Sequence, residues 1–173
     1  MGQGKLNVDQ EIQKGKEIEA PTKKLFGRIK SKKGKLDPMF QEKHDEAFKS
    51  IDCLDCANCC KTTSPIFRPV DVKRLSKSMR MNESRFIDEY LRIDEDNDYV
   101  LKTAPCPFLD LESNKCNVYE NRPLACREYP HTDRKNMYQI LDLTLKNLMV
   151  CPAVVKICDS FLETTKGKEK RKS

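Results

Sequence analysis

The sequence predicts a mainly α fold: a small, irregular helical domain organised around cysteine metal sites, with one short β-hairpin at most. Two observations favour this class. Apolar residues recur at helical spacing on both sides of a cysteine-rich middle whose many turn-forming residues exclude long elements. The 173 residues are 38% hydrophobic and 35% charged, without Trp, so one domain with a modest core is expected. A bound metal commonly adds stability to such a core.

The chain ends are the most basic parts and predict the domain organisation. Residues 1–36 mix Lys, Gly and Glu with isolated apolar residues, and Gly27 and Gly34 interrupt any helix. We therefore expect a basic flexible N-terminal tail over 1–36, a cysteine-cluster domain over 37–165 and a basic C-terminal tail over 166–173. Most of the excess positive charge, +6 for the chain, falls in these ends. Tails of this kind can bind nucleic acid or a protein partner, although a solvated terminus explains them as simply.

Before the cysteines, the sequence predicts a helix that begins at Asp37 and Pro38, as N-cap and first helical residue. Phe40, His44 and Ala47 then recur at helical spacing, so His44 is expected to have a packing role. This helix leads directly into the cysteine run.

Beyond the cysteine run, the periodicity predicts one short amphipathic helix over 71–79 and another from Asn82. Phe86, Ile87, Tyr90 and Leu91 form the apolar stripe of the second helix, which an acidic turn over 94–98 ends. Residues 99–101 are predicted to form one short strand, and a small hairpin is expected across 112–115. A helical turn should start near Pro123. Two helices, 137–149 and 152–165, should be separated at Cys151-Pro152.

The run CLDCANCC places four thiols within eight residues, Cys53 to Cys60. Thiolates held together repel one another, so such clustering is costly without a metal or a redox partner. The spacing C-x-x-C-x-x-C lets a short loop surround one metal centre. Because neighbouring side chains diverge, Cys59 and Cys60 are predicted to have different roles, in one site or two.

Downstream cysteines supply further candidate ligands, for a total of eight thiols. Four thiolates suit zinc and also suit an iron-sulfur centre, so the predicted cofactor is zinc or iron, including an iron-sulfur cluster. The candidate ligands are Cys53, Cys56, Cys59, Cys60, Cys106, Cys116, Cys126 and Cys151.

The nine cysteines are an odd number, and the sequence has neither a signal-peptide core nor an apolar stretch that could span a membrane. We therefore expect a cytoplasmic protein in a reducing compartment, where a dense cysteine pattern favours metal binding over disulfides.

The chain resembles the CxxCxxCC cysteine-cluster family, also called the YkgJ-type family, whose members are described as zinc- or iron-chelating domains. The resemblance is carried by CLDCANCC, by the block CPFLDLESNKCNVYENRPLACREYPH and by Cys151-Pro152, and it covers about 51–162. It implies a metal centre held by the same eight cysteines. It also implies kinship with the cysteine segment of flagellin lysine N-methylases, although this chain lacks a glycine-rich nucleotide loop.

Several residues near the cysteines are candidates for supporting the metal ligands. Arg122 and Arg127 bracket Cys126, so they are predicted either to hydrogen-bond the sulfurs or to pair with a nearby Glu. His131 is expected to support the site structurally. Cys158 lies on an apolar helical face and is expected to belong to the core.

Three functions remain open from the sequence. The first is a zinc- or iron-binding protein whose centre organises the fold. The second is a metal-assisted redox or group-transfer enzyme, methylase-like, or an accessory to one. The third is a zinc-stabilised module that binds nucleic acid or protein.

Overall fold

The computed structural model describes residues 6–169, most of which are helical. They form two compact units: the first combines the residues up to Asp52 with those from Pro130 onward, and the second is Cys53–Tyr129. Two 3-10 turns occur, at Tyr119–Asn121 and Met137–Gln139. The helices and strands are, in chain order, α1 (Val8–Ile29), α2 (Lys33–Phe48), α3 (Cys53–Cys56), α4 (Asn58–Thr62), α5 (Pro69–Ser78), α6 (Glu83–Tyr90), β1 (Leu91–Ile93), β2 (Tyr99–Leu101), α7 (Leu124–Glu128), α8 (Leu141–Asn147) and α9 (Pro152–Glu169).

The mainly helical class is confirmed, but the expectation of an irregular segment before Asp37 is wrong. Helix α1 occupies most of that segment and begins at an N-cap, where the Asn7 side chain accepts a hydrogen bond from the Gln10 amide at 3.1 Å. It packs against α9 and buries Leu25, Phe26 and Ile29. Tertiary packing thus outweighs the low helix propensity of its glycines.

Aromatic rings from three helices form the centre of the first unit. The Phe40 ring lies 4.7 Å from Phe161 and 5.9 Å from Phe26, between ring centroids. Cys158, on α9, is fully buried in this core, and burial raises the pKa of its thiol. Cys158 therefore belongs to the core.

Helix α2 begins earlier than the sequence predicted, at Lys33, so Asp37 is not its N-cap. The Asp37 carboxylate instead accepts hydrogen bonds from the Asn136 and Met137 amides at 2.8 and 2.9 Å. It thereby caps the 3-10 turn at Met137–Gln139. Further along α2, His44 Nδ1 lies 2.8 Å from Thr132 Oγ1, which gives the imidazole a structural partner.

The second unit has its own apolar core between α5, α6 and the two strands. Phe86 is fully buried, and its ring stacks on Phe108 with centroids 6.1 Å apart and an interplanar angle of 8°. Cys106 packs against the edge of this cluster. The buried members of the cluster are Phe67, Val72, Leu75, Phe86, Leu91, Leu101 and Phe108.

The hairpin of this unit is formed by β1 and β2, antiparallel, with Arg92 opposite Val100. The prediction of a strand at 99–101 is therefore confirmed, whereas the assignment of Leu91 to the preceding helix is wrong. At the predicted hairpin position, a single antiparallel bridge joins Leu109 to Cys116. A turn lies between them, and the Asp110 carboxylate accepts a hydrogen bond from Ser113 Oγ at 2.7 Å.

The cysteine-rich part thus forms a unit of its own, and α1 belongs to the first unit. The predicted boundaries of a domain over 37–165 stay a prediction. The short helices α3 to α7 all belong to the second unit. Within residues 6–169, none of the helices has the long apolar stretch that a bilayer crossing requires.

Candidate metal centre

The CLDCANCC run folds as two short helical turns that meet at Ala57. Helix α3 has four residues and α4 five, and Ala57 between them adopts a left-handed conformation with φ 47°. The Ala57 amide donates to the Cys53 carbonyl at 2.9 Å, and the Lys61 amide donates to the Ala57 carbonyl at 3.1 Å. Cys59 and Cys60 are adjacent on α4, and the Cys59 thiol is close enough to donate a hydrogen bond to the Cys60 sulfur.

The fold brings the downstream cysteines to this run despite the separation in sequence. The Cys106 amide donates to the Cys60 carbonyl at 2.8 Å, so the two backbones are in direct contact. The isolated bridge between Leu109 and Cys116 then places Cys116 opposite a residue that lies three positions after Cys106. A third link is the Asn114 side-chain amide, which donates to the Asp55 carbonyl at 3.0 Å.

Cys126, on α7, lies within electrostatic reach of Cys60, Cys106 and Cys116. Burial is the main reason that the pKa of Cys126 rises to about 12, and negative charge at the other three thiols raises it further. The pKa of Cys106 rises to about 11, again mainly through burial, with contributions from Cys60 and Cys116. The pKa of Cys116 is raised in the same way, by burial and by charge at Cys60. Ionised Cys60 thus disfavours ionisation of each of the other three thiols.

Backbone amides favour the thiolate form at three of the cysteines, in each case from the residue two positions later. The Asn58 amide acts on Cys56, the Phe108 amide on Cys106 and the Val118 amide on Cys116, and each lowers the pKa of its thiol. Burial has the larger, opposite effect, so all three pKa values are raised. Amides directed at sulfur stabilise the ionised state that a metal ligand requires.

Cys60 differs from the other thiols because its pKa is lowered, to about 7. The main cause is a hydrogen bond from the Cys59 side chain, and the Lys61 ammonium adds to it, while burial acts in the opposite direction. Cys60 is therefore the thiol of this group that ionises most easily.

A buried ion pair fixes the segment between Cys116 and Cys126 to α5. The Asp71 side chain is fully buried and binds Arg74 Nη2 at 2.6 Å, and it also accepts a hydrogen bond from the Leu124 amide at 3.3 Å. Arg74 in turn donates to the Asn121 and Arg122 carbonyls at 3.2 and 2.9 Å. Our sequence analysis missed this pair. The Asp71 and Arg74 spacing of three is a local signal for the pair, but nothing local indicates its contacts with 121–124.

The two arginines that bracket Cys126 have different surroundings. The Arg122 guanidinium favours ionisation of Cys116 and Cys126, and it lies over the Tyr119 ring at 3.7 Å from the centroid. Arg127 donates to the Arg122 and Glu120 carbonyls at 3.1 and 2.9 Å, which stabilises the loop. Arg122 is thus the one with an electrostatic link to the thiols.

The other predicted site residues lie in several places. Cys53 and Cys56 are the first and last residues of α3, and Cys59 is on α4. Cys151 is buried directly before α9, in the first unit. His131 also belongs to the first unit, but it is only half-buried, and its φ is 64°. Among residues 6–169, no group of three or more Cys, His, Asp or Glu side chains has a geometry that could hold a metal ion. The second unit therefore supplies a suitable donor set, without a completed coordination geometry.

A helical scaffold that gathers four thiols from separate chain segments defines a cysteine-cluster protein. The chain belongs to the CxxCxxCC family, described as "Putative zinc- or iron-chelating domain", which it matches over residues 52–147. The match covers all of the second unit.

The chain is also similar to an uncharacterized protein of Methanocaldococcus jannaschii, with 29% identity over 107 residues. The aligned part is 58% of this chain and 57% of that protein, so the chain spans just over half the length of its curated relative. No solved structure matches the chain.

Proposed function

We propose that the chain binds zinc or iron through cysteine thiolates of the second unit. Cys60, Cys106, Cys116 and Cys126 are the first candidates as ligands: the backbone of Cys106 contacts that of Cys60, which is distant in sequence, and charge at Cys60, Cys106 and Cys116 acts on Cys126. This placement is the observation that carries the proposal. The remaining members of the predicted ligand set are Cys53, Cys56, Cys59 and Cys151.

Charge gives the physical reason for a metal at this position. Four thiolates would repel one another strongly in a half-buried site, and a cation offsets this repulsion. Zinc and iron both accept four sulfur ligands, and an iron-sulfur cluster accepts the same set. When bound, either metal would hold the three segments together, and iron would add redox chemistry.

The surroundings of the thiols are consistent with this role. Amides directed at Cys106 and Cys116, and the Arg122 guanidinium, would stabilise the bound thiolates. The pair formed by Asp71 and Arg74 fixes the segment that carries Cys126. Residues other than the candidate ligands would therefore also stabilise the metal site.

The experiment is to measure zinc, iron and acid-labile sulfide in protein purified anaerobically without a tag, together with its absorption spectrum. The wild type is expected to contain stoichiometric metal. Iron with sulfide and visible absorption would identify an iron-sulfur cluster, and colourless protein with zinc would identify a zinc site. The variants Cys126→Ser and Cys116→Ser should each lose at least half of the metal, because a ligand is removed.

Cys158→Ala is the matched control, since it removes a buried thiol of the first unit that is not among the predicted ligands. It should retain the wild-type metal content. Circular dichroism of each variant distinguishes loss of a ligand from loss of the fold. A folded wild type without metal, or folded Cys126 and Cys116 variants with full metal content, would contradict the proposal.

A further inference from the structure

The end of α1 and the start of α2 form a strongly basic surface that is separate from the cysteine unit. We call residues 20–36 the basic corner. It contains no Asp or Glu and seven basic residues: Lys23, Lys24, Arg28, Lys30, Lys32, Lys33 and Lys35. Because the whole chain has a net charge of +6, the remainder sums to −1. These seven charges thus lie within one tenth of the chain, and residues 166–173, with five basic residues and one Glu, are a second basic stretch.

All seven basic side chains of the basic corner are exposed to solvent. Its apolar residues Leu25, Phe26 and Leu36 are buried in the first unit. This division places the charges together on the solvent side of a folded element. The turn between the helices forms a shallow depression of about 500 Å³, lined by Ser31, Lys32, Lys33, Gly34 and Lys35.

Local stability explains only some of these charges: Arg28 lies in the last turn of α1, where a cation is favourable, and Lys33 Nζ lies 5.1 Å from the centroid of the Tyr138 ring. Within residues 6–169, the side chains of Lys23, Lys24, Lys30, Lys32 and Lys35 take part in no ion pair. The first turn of α2 has no acidic residue and no side-chain cap, and it carries Lys33 and Lys35. Cations at the start of a helix oppose its dipole, so Lys35 is in an electrostatically unfavourable position in the protein alone. A polyanion bound to the surface would remove this cost.

We propose that the basic corner binds the phosphate backbone of double-stranded nucleic acid. Dense exposed lysines neutralise phosphates and release counterions, which supplies affinity without reading sequence. A membrane surface is disfavoured because, among the described residues, no large exposed hydrophobic side chain lies in the corner, and an interfacial helix needs an apolar face. Single-stranded nucleic acid is disfavoured because Phe26, the aromatic residue of the corner, is buried and cannot stack on a base.

The test is fluorescence anisotropy of the full-length, untagged chain with labelled 20-base-pair duplexes of DNA and of RNA, at several salt concentrations. Both duplexes should bind at about 50 mM salt, with affinity that falls steeply as salt increases. The triple variant Lys23→Gln, Lys24→Gln, Lys32→Gln should bind at least about tenfold more weakly. The slope of log affinity against log salt should become shallower by roughly 2 to 3, since each phosphate contact contributes about 0.9.

The matched control replaces three other exposed lysines, as Lys73→Gln, Lys77→Gln, Lys146→Gln. It removes the same charge and should retain the wild-type affinity and slope. The proposal is overturned if the wild type binds neither duplex at low salt, or if both triple variants lose affinity equally. Stronger binding to phosphatidylserine vesicles than to either duplex would also overturn it. This surface is independent of the metal, so apoprotein that stays folded should bind as the wild type does.

Discussion

The buried carboxylate of Asp71 has a structural role that the sequence did not predict. Its carboxylate is fully buried, and its partners Arg74 and the Leu124 amide connect α5 to the segment that carries Cys126. Removing one partner of a buried pair leaves the other charge uncompensated. The side chain thus links the apolar core of the second unit to its thiols.

We expect Asp71→Ala to lower the free energy of unfolding by about 3 kcal/mol, because the Arg74 guanidinium and the Leu124 amide lose their acceptor. Urea denaturation measures this change. Asp88→Ala, which removes an exposed carboxylate of α6, is the control and should change stability by about 0.5 kcal/mol or less. Equal effects of the two substitutions would show that the buried pair does not stabilise the unit.

The same carboxylate predicts a pH dependence of stability. Burial alone would raise the pKa of Asp71, but the hydrogen bonds from Arg74, Arg68 and Leu124 outweigh it and leave the pKa below its usual value. A depressed folded-state pKa contributes stability that is complete above the unfolded value, about 3.9, and is lost as the pH falls below it. The difference in unfolding free energy between wild type and Asp71→Asn should therefore shrink from pH 6 towards pH 3. A constant difference over that range would contradict the assignment.

At the scale of elements, two glycines of α1 separate the effect of packing from the effect of helix propensity. Gly15 is buried where α1 meets the end of α8 and α9: a Cβ atom there would lie 2.5 Å from the Leu148 carbonyl oxygen and 2.9 Å from a Val155 methyl. At Gly27, on the same helix, an added Cβ would meet nothing within 4 Å. The two glycines therefore differ only in what surrounds them.

We expect Gly15→Ala to destabilise the protein by about 1–2 kcal/mol, because overpacking outweighs the gain in helix propensity. Gly27→Ala should stabilise it by up to about 1 kcal/mol, since only the propensity changes. Thermal unfolding followed by circular dichroism measures both changes. If both substitutions stabilise the protein, α1 is not packed as the structure describes.

The elements that could be predicted from the sequence are those whose local signals agree with their packing. Helix α6 begins after Asn82, whose side chain accepts a hydrogen bond from the Arg85 amide, and the break before α9 falls at Pro152 as predicted. Helix α1 was missed because its stability comes from contacts with α9, which leave no local signal. Leu91 was assigned to a helix because it continues an apolar stripe, although the backbone turns there into β1.

The candidate site was predictable in its residue types and not in its arrangement. The spacing of CLDCANCC indicates metal binding by itself, whereas the contact between Cys60 and Cys106 depends on how the intervening core folds. The amides directed at sulfur depend on turn geometry that spacing alone does not determine. Sequence therefore indicated the donors, and the fold determined which of them meet.

At the scale of the whole molecule, the proposed metal site and the basic corner belong to different units. The first unit has long helices with an aromatic core. The second unit has short helices of four and five residues around the thiols, and helices this short depend on tertiary contacts or on a metal. We therefore expect metal binding to stabilise mainly Cys53–Tyr129, and the basic corner to act through the first unit.

The most direct test of the metal centre is X-ray absorption at the metal edge of the anaerobically purified chain. It reports which atoms surround the metal and at what distance. We predict a shell of four sulfur atoms, at about 2.3 Å if the metal is zinc. The sulfur count should fall in Cys126→Ser and stay unchanged in Cys158→Ala. A shell dominated by nitrogen or oxygen would contradict a centre built from the thiols of Cys60, Cys106, Cys116 and Cys126.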